Sequence, residues 1–243
     1  MNIYIRNIID FVTGLLYPKR CVACDKVLLK NEKEIGFCKK CIGQIKLTGS
    51  SVCFKCGKPL EDDREELCPD CENTKHYFSQ AKALYRYTGL MKPAMYRFKY
   101  SNRRCYGKVF GAHAVRLQGK WIKENKIEAI VPVPMYKPKE RRRGYNQAAV
   151  FAKALGEQTG LPVLDKVVRR ENDTVAMKQL SGAKRKKNLL NAFILGENDV
   201  QFRKVLIVDD IYTTGTTMDE VSKTLLNGGV KEIFGLCVCI GQS

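Results

Sequence analysis

The sequence lacks a long hydrophobic run. Charged side chains interrupt its apolar stretches, as Arg6 and Asp10 do near the N-terminus, so no segment reaches the roughly 18 apolar residues that a membrane-spanning helix needs. It also lacks the basic start, unbroken apolar stretch and small-residue cleavage site of a secretory signal. These absences predict a protein with no transmembrane segment that works in the cytoplasm.

Acidic residues are scarce. The 243 residues include 43 Lys and Arg against 25 Asp and Glu, which gives a formal net charge of +18, and 44% are hydrophobic. That apolar fraction supports one sizeable core plus a smaller module, and it excludes a disordered or collagen-like chain. A strongly basic surface predicts an anionic partner. Basic clusters interleaved with aromatic residues are typical of a single-stranded nucleic-acid groove, although a solvated Lys-rich surface explains them equally well.

The cysteines form a pattern of their own. Eight of the 11 stand in four CxxC pairs within residues 21–71. Two such pairs bring four thiolates around one ion in the tetrahedral shell that zinc prefers. A redox pair or a disulfide scaffold is the alternative, but four tandem pairs without a βαβ context favour zinc. The expected ligands are Cys21, Cys24, Cys38, Cys41, Cys53, Cys56, Cys68 and Cys71.

Two closed zinc sites follow from this spacing. We expect sequential ligation, with the first four cysteines holding one ion and the last four holding the other, while a cross-braced arrangement also fits the spacing. Four thiolates fill the shell and leave no position for water, so both zinc ions are predicted to be structural.

The chain divides into three parts. Residues 3–17 carry apolar side chains at helical spacing, which predicts an amphipathic helix within segment 1–17. Its polar face is poor in Lys and Arg, so we expect it to dock on the main domain rather than to contact the inner face of a membrane. Residues 18–75 form the double zinc-ribbon module. Residues 80–243 show the alternating pattern of an α/β domain.

This α/β pattern predicts a parallel sheet with helices on both faces. A basic turn follows the first predicted strand, and a polar basic stretch precedes residues 191–195. The predicted strands lie at residues 128–134, near 163–168, at 205–208 and at 233–239, and the predicted helices begin near Gln147 and around Met218.

The strand Val205–Val208 is followed by the residues of a candidate ligand-binding site. Asp209 and Asp210 follow it, and then comes a Thr- and Gly-rich bend at residues 213–217. Backbone N–H groups and threonine hydroxyls before a helix can cradle a phosphate. Adjacent carboxylates suit sugar hydroxyls, either directly or through magnesium. A Walker A loop is absent. The segment therefore predicts a site for a phosphorylated sugar at the carboxyl edge of the sheet.

This segment, VLIVDDIYTTGTT, resembles the phosphoribosyl pyrophosphate (PRPP) motif of type I phosphoribosyltransferases, with Tyr212 where an aliphatic residue is usual. Taken with the CxxC pairs, PVP at 132–134, RGYNQ at 143–147 and the Gln179, Arg185 and Asn188 stretch, nearly the whole chain resembles the ComF family of competence-related proteins.

The resemblance implies roles for particular residues. Asp209 and Asp210 would hold the ribose hydroxyls, with magnesium, and with Arg143 they are the candidate catalytic residues. Residues 169–188 would form a mobile loop including Lys178, Gln179 and Arg185, or a solvated charged loop. The 5′-phosphate would lie on Thr213, Thr214, Gly215, Thr216 and Thr217, and pyrophosphate on Met135, Tyr136, Arg143, Gly144 and Asn146.

The resemblance also implies a function in DNA uptake during natural competence (transformation), with PRPP, single-stranded DNA and a DNA translocase as partners. The alternative is a true phosphoribosyltransferase acting on an unidentified nucleobase-like acceptor unrelated to DNA uptake. Residues 83–104 are the candidate hood over such a base, although an aromatic stripe is also typical of a core. The relevant side chains are Tyr85, Tyr87, Tyr96, Phe98, Lys99 and Tyr100.

Overall fold

The structure is a computed structural model that describes residues 18–171, 192–196 and 201–241. The helix predicted within segment 1–17 and the predicted loop residues Lys178, Gln179 and Arg185 lie outside these ranges. Among the described helices, none combines the length and apolarity needed to cross a membrane.

The centre of the molecule is a four-stranded parallel sheet. Its strand order is β1-β6-β5-β2, and a separate antiparallel pair joins β3 to β4. The strands are β1 (Gln80–Arg86), β2 (Ala129–Pro132), β3 (Val168–Arg170), β4 (Phe193–Leu195), β5 (Lys204–Tyr212) and β6 (Glu232–Ile240).

Helices pack on both faces of this sheet. On one face, Leu206 and Val208 of β5 join a core with Phe98, Phe110 and Phe151. On the other face, the alternate residues of β5 join a second core with side chains of the last helix. The prediction of a parallel sheet covered on both sides is confirmed. The helices are α1 (Lys39–Ile42), α2 (Pro69–Asn73), α3 (Met91–Tyr100), α4 (Tyr106–Glu124), α5 (Lys137–Arg143), α6 (Gln147–Thr159) and α7 (Thr216–Asn227).

The cysteine-rich segment packs against this sheet. The first quartet belongs to the core on the side of α3 and α4, and the second belongs to the core on the side of α7. Backbone hydrogen bonds join it to the edge strand β1, including Ala81 N–H to the Lys55 carbonyl at 2.7 Å and Arg86 N–H to the Lys46 carbonyl at 2.9 Å. These bonds cover a strand edge that would otherwise be open.

Two predictions of local structure were wrong. The strand near residues 163–168 is reduced to a single bridge between Val163 and Ile130, and β3 begins only at Val168. The basic turn contains α5, which begins with a proline in its first turn and ends at Gly144 with φ of 89°. No residue of α5 is buried, so the sequence shows no apolar periodicity there.

The strand β5 is longer than its apolar core suggests. The sequence predicts Val205–Val208, but the strand continues to Tyr212 because Asp209 and Ile211 also pair with Cys237 and Cys239 of β6. Both acids therefore lie within the strand instead of following it.

Candidate functional site

Asp209 and Asp210 point to opposite faces of β5. Successive side chains of a strand alternate between its faces, so Asp209 shares a face with Ile207 and Asp210 with Val208. Asp209 lines a narrow cleft together with Thr213, Gly215 and Thr217. Asp210 faces α3. The two carboxylates are therefore adjacent in sequence but have different neighbours.

Asp210 forms an ion pair with α3. The Nζ atom of Lys99 lies 3.0 Å from Oδ2 of Asp210, and the side chains are only 22% and 14% exposed. Burial opposes the charge of Lys99, but the carboxylates of Asp210 and Asp209 outweigh it, so the pKa of Lys99 is raised. The ammonium group is therefore held charged beside the two acids.

Asp209 has an unusual protonation equilibrium. Burial, followed by the neighbouring charge of Asp210, raises its pKa to about 7, against a smaller lowering by Lys99 and Arg170. Its Oδ1 accepts a hydrogen bond of 2.7 Å from the backbone N–H of Asp210. A carboxylate with this pKa is half ionised at neutral pH and gains from any added cation.

The threonine-rich bend faces the same cleft as Asp209. Gly215 adopts φ of 78° and precedes the first residue of α7, and Thr213 and Thr214 are exposed. The Oγ1 atoms of Thr214 and Thr216 lie 2.8 Å apart. The first N–H groups of a helix have no partner within it, so the bend offers hydroxyl and backbone donors to an anion near Asp209.

The predicted pyrophosphate residues are not all brought together. Asn146 caps α6, since its Oδ1 accepts from Ala148 N–H at 3.0 Å and its Nδ2 donates to the Val133 carbonyl at 2.9 Å. The Gly144 carbonyl accepts from Nη2 of Arg104 at 2.6 Å. Met135 and Asn146 nevertheless line one cleft with Arg169 and Arg170, and Tyr136 lines a neighbouring cleft with the same two arginines. Arg143 and Gly144 line neither of these clefts.

Arg143 lies on the Asp210 side of the site. Its Nη1 donates to Oε1 of Gln147 at 2.7 Å, and its guanidinium carbon stands 4.8 Å from the ring centre of Tyr100. Its charge also acts on Lys99. Arg143 is therefore part of a cationic and aromatic group on α3 and α5.

A second group of cations lies beside Met135 and Tyr136 and includes Arg169 and Arg170, the first residues of the predicted loop 169–188. A cleft of about 320 Å³ is lined by Tyr136, Lys137, Arg169, Arg170 and Glu171. Arg170 also acts electrostatically on Asp209. The prediction that a loop begins at residue 169 was wrong, because Arg169 and Arg170 belong to β3 and pair with β4.

Two exposed tyrosines continue the group on α3. Tyr96 and Tyr100 are 63% and 60% exposed, and their ring centres lie 4.9 Å apart. By contrast, Tyr85 and Phe98 are fully buried. The aromatic residues of 83–104 thus serve both as core and as an exposed surface next to the Lys99–Asp210 pair.

The eight cysteines fall into two clusters. Within each quartet the sulfur atoms all lie within 4.8 Å of one another, and the grouping is sequential. The Sγ atoms of Cys24 and Cys38 are 3.8 Å apart, and those of Cys56 and Cys68 are 3.6 Å apart. A tetrahedral ion with Zn–S bonds of about 2.3 Å requires S···S distances of about 3.8 Å. Both clusters fit a structural zinc ion.

Comparison with known proteins agrees with this division. Residues 12–72 match the family model of a double zinc ribbon domain, and residues 120–243 match that of a phosphoribosyl transferase domain. Each of the two models describes one of these domains and not the whole chain.

Relatives match along most of the chain. The chain is 33% identical over 221 residues to "Competence protein F" of Haemophilus influenzae, covering 88% of this chain and 93% of that protein. It is 28% identical to "DNA utilization protein YhgH" of Escherichia coli K12, covering 84% and 96%. It is 26% identical to "Competence protein ComFC" of Bacillus subtilis, covering 89% and 92%.

Proposed function

The chain belongs to the ComF family of competence proteins, with a double zinc ribbon and a phosphoribosyltransferase domain, and on that basis we propose that it binds PRPP with magnesium and handles single-stranded DNA during DNA uptake. The names of its relatives, competence and DNA utilization proteins, support the role in uptake. By the same family resemblance, a DNA translocase is the expected protein partner.

One observation carries the PRPP proposal: Asp209 and the bend at residues 213–217 line a single cleft at the carboxyl edge of a parallel sheet. Open parallel sheets bind their ligands at this edge. The bend supplies N–H and hydroxyl donors for the 5′-phosphate. Asp209 and Asp210 supply acceptors for ribose hydroxyls a short distance away.

Magnesium fits the carboxylates. The pKa of Asp209 is raised to about 7 by burial and by Asp210, and a divalent cation relieves this unfavourable charge density. Mg²⁺ is usually bound by one or two carboxylates plus phosphate oxygens and water. Asp209 is the better ligand of the two, because Asp210 is already paired with Lys99.

The pyrophosphate of PRPP fits the cations around Tyr136. Lys137, Arg169 and Arg170 line one cleft, and Arg170 acts on Asp209. Cations placed where the leaving group gathers charge stabilise its departure. We therefore assign pyrophosphate to these residues and to the backbone at Met135 and Tyr136, and we move Arg143 to the opposite side of the ribose.

Single-stranded DNA fits the surface formed by Tyr96, Tyr100 and Arg143. Exposed rings can stack on successive bases while nearby cations meet the phosphates. Arg141 and Arg142 precede Arg143 in the last turn of α5, and Arg104 donates to the carbonyl of Gly144, so all three add positive charge near this surface. Bases held there lie next to Asp210 and thus to the ribose of PRPP.

A second candidate function uses the same surface. A free nucleobase-like acceptor could stack on Tyr100 next to the ribose, which would make the protein a phosphoribosyltransferase unrelated to DNA uptake. Exposure of the Tyr100 ring at the edge of the site favours this reading as well.

Calorimetric titration with magnesium and PRPP tests the binding proposal, with ribose 5-phosphate and pyrophosphate as partial ligands. We expect one site per chain and weaker binding of either fragment. Release of pyrophosphate in the presence of a single-stranded oligonucleotide or of pooled bases then separates the two functions. If PRPP binds no better than pyrophosphate alone, the ribose site proposed here is wrong.

A further inference from the structure

The segment between the second cysteine quartet and β1 contacts the phosphate bend. His76 lies five residues after Cys71 and is almost fully buried, with 1% of its side chain exposed. Its Nδ1 lies 2.8 Å from Oδ2 of Asp219, and the other carboxylate oxygen accepts from the backbone N–H of Tyr77 at 2.9 Å. Asp219 belongs to the first turn of α7, directly after the bend.

The imidazole ring also fixes the bend itself. A Cβ atom on Gly215 would stand 2.9 Å from Cε1 of His76 and would collide with the hydroxyl of Tyr212. The ring stacks on Phe78 with centres 4.8 Å apart. Phe78 and Tyr212 share one core with Cys53, Cys56, Cys68 and Cys71. A continuous packed path therefore leads from the second quartet to Gly215.

The contact between His76 and Asp219 also has an electrostatic effect on the bend. A carboxylate near a helix N-terminus competes with any anion bound there, and a hydrogen-bond donor from His76 directs it away from the bend. The Nε2 atom of His76 is buried and has no hydrogen-bond partner among the described residues. The hydrogen bond to Asp219 and the stacking on Phe78 hold the ring in place, although the unpaired buried Nε2 atom is unfavourable.

We propose that His76 and Asp219 are a positioning pair that couples the second cysteine quartet to the phosphate bend, so that zinc in the second quartet and PRPP in the site strengthen each other's binding. The proposal rests on the function proposed above. It requires the coupling to be reciprocal, because two ligands that stabilise one arrangement raise each other's affinity by the same factor.

The chain offers a matched control in its other histidine. His113 is equally buried, and it joins the region of the first quartet to the sheet by bonds to the Ile35 carbonyl at 2.9 Å and to the Tyr85 hydroxyl at 2.7 Å. It touches neither Asp219 nor the bend. Its loss should reduce stability without affecting PRPP.

The first experiment compares His76→Leu, His76→Asn and His113→Leu in the full chain by calorimetry with magnesium and PRPP, after zinc content has been measured. We expect at least a tenfold loss of PRPP affinity for His76→Leu. His76→Asn keeps a donor close to the position of Nδ1 and should stay within threefold of wild type, as should His113→Leu. Asp219→Asn preserves the shape of the carboxylate and tests the same pair if His76→Leu fails to fold.

The second experiment follows zinc release to a chelator with a colorimetric indicator. Saturating PRPP with magnesium should slow the release of one of the two zinc ions at least threefold and leave the other unchanged. Equal affinities of wild type, His76→Leu and Asp219→Asn, or equal release rates with and without PRPP, would overturn the coupling. If the unaltered chain does not bind PRPP at all, both the proposed function and the coupling are wrong.

Discussion

The ammonium group of Lys99 lies 3.0 Å from the carboxylate of Asp210, although Lys99 precedes the region that matches the phosphoribosyl transferase domain, which begins at residue 120. Helix α3 carries Lys99 to the carboxyl edge of the sheet between Tyr96 and Tyr100. The candidate site therefore includes residues outside that matched region, and α3 is its cationic and aromatic side.

Loss of Lys99 should weaken PRPP binding. Without its ammonium group, Asp210 is an uncompensated partly buried charge, and it repels the polyanionic ligand. We expect Lys99→Met to lower the affinity for PRPP about tenfold, equivalent to ~1.4 kcal/mol, in calorimetric titrations. Lys120→Met is the matched control, because Lys120 is exposed and pairs with Glu124 within α4. If both variants lose the same affinity for PRPP, the effect comes from the net charge of the protein and not from the Lys99–Asp210 pair.

Asp209 should make stability depend on pH. Its pKa is about 7 in the folded chain against an ordinary value of 3.8, so the folded chain binds the extra proton between these values. The contribution of this group to stability is present below pH 4 and is lost as the pH rises through 7.

We expect Asp209→Asn to raise the free energy of unfolding by about 2 kcal/mol at pH 8, after allowance for partial exposure, and to change it little at pH 4. Urea denaturation of both proteins at the two pH values measures this difference. If the variant is destabilised equally at both pH values, the pKa of Asp209 is not raised in the folded chain.

Gly215 should tolerate no side chain. Gly215→Ala places a Cβ against Tyr212 and His76 in a left-handed conformation, so the bend must shift. We expect at least a tenfold loss of PRPP affinity. Gly160→Ala is the control, since Gly160 has a similar φ of 75° but nothing within 4 Å of its Cβ position. It should cost about 1 kcal/mol of stability and leave PRPP binding intact.

Tyr96 and Tyr100 should carry single-stranded DNA. Replacing both by alanine removes two stacking surfaces, each worth about 1–3 kcal/mol, so we expect the affinity for a fluorescent oligo(dT) to fall at least tenfold while PRPP affinity changes little. Tyr77→Ala is the control, because Tyr77 is also exposed and also has a cation over its ring, Lys223 at 4.6 Å.

The salt dependence of this binding distinguishes contacts with DNA phosphates from non-specific hydrophobic adsorption. Affinity for the oligonucleotide should fall steeply with salt, with a slope of roughly 0.7 per phosphate contact. If the affinity does not change with salt, or if the double alanine variant binds as well as wild type, the proposal that this surface binds DNA is wrong.

Much of the fold follows from local patterns in the sequence. The apolar run at Val205–Val208, the helix that ends at Gly160 and the paired cysteines all carry local patterns, and the structure has a strand, a helix and two sulfur clusters there. The parallel sheet follows from their alternation. Helix α5 was missed because none of its residues is buried, which leaves no periodic apolar signal.

The remaining parts of the site depend on tertiary contacts between distant segments. Lys99 meets Asp210 across more than 100 residues of chain, and His76 meets Asp219 across an even longer separation. The assignment of Arg143 to pyrophosphate came from the family resemblance. The turn into α5 and the ring of Tyr100 direct its guanidinium toward α3 instead. No local pattern encodes such pairings.

The most direct test of the account is a calorimetric titration of wild type, Asp209→Asn, Asp210→Asn and the double variant with PRPP and magnesium at pH 8. We predict one site per chain in the wild type, weaker binding in each single variant and at least a hundredfold loss in the double variant, while both zinc ions remain bound in all four. Equal affinity for PRPP in the wild type and the double variant would contradict it.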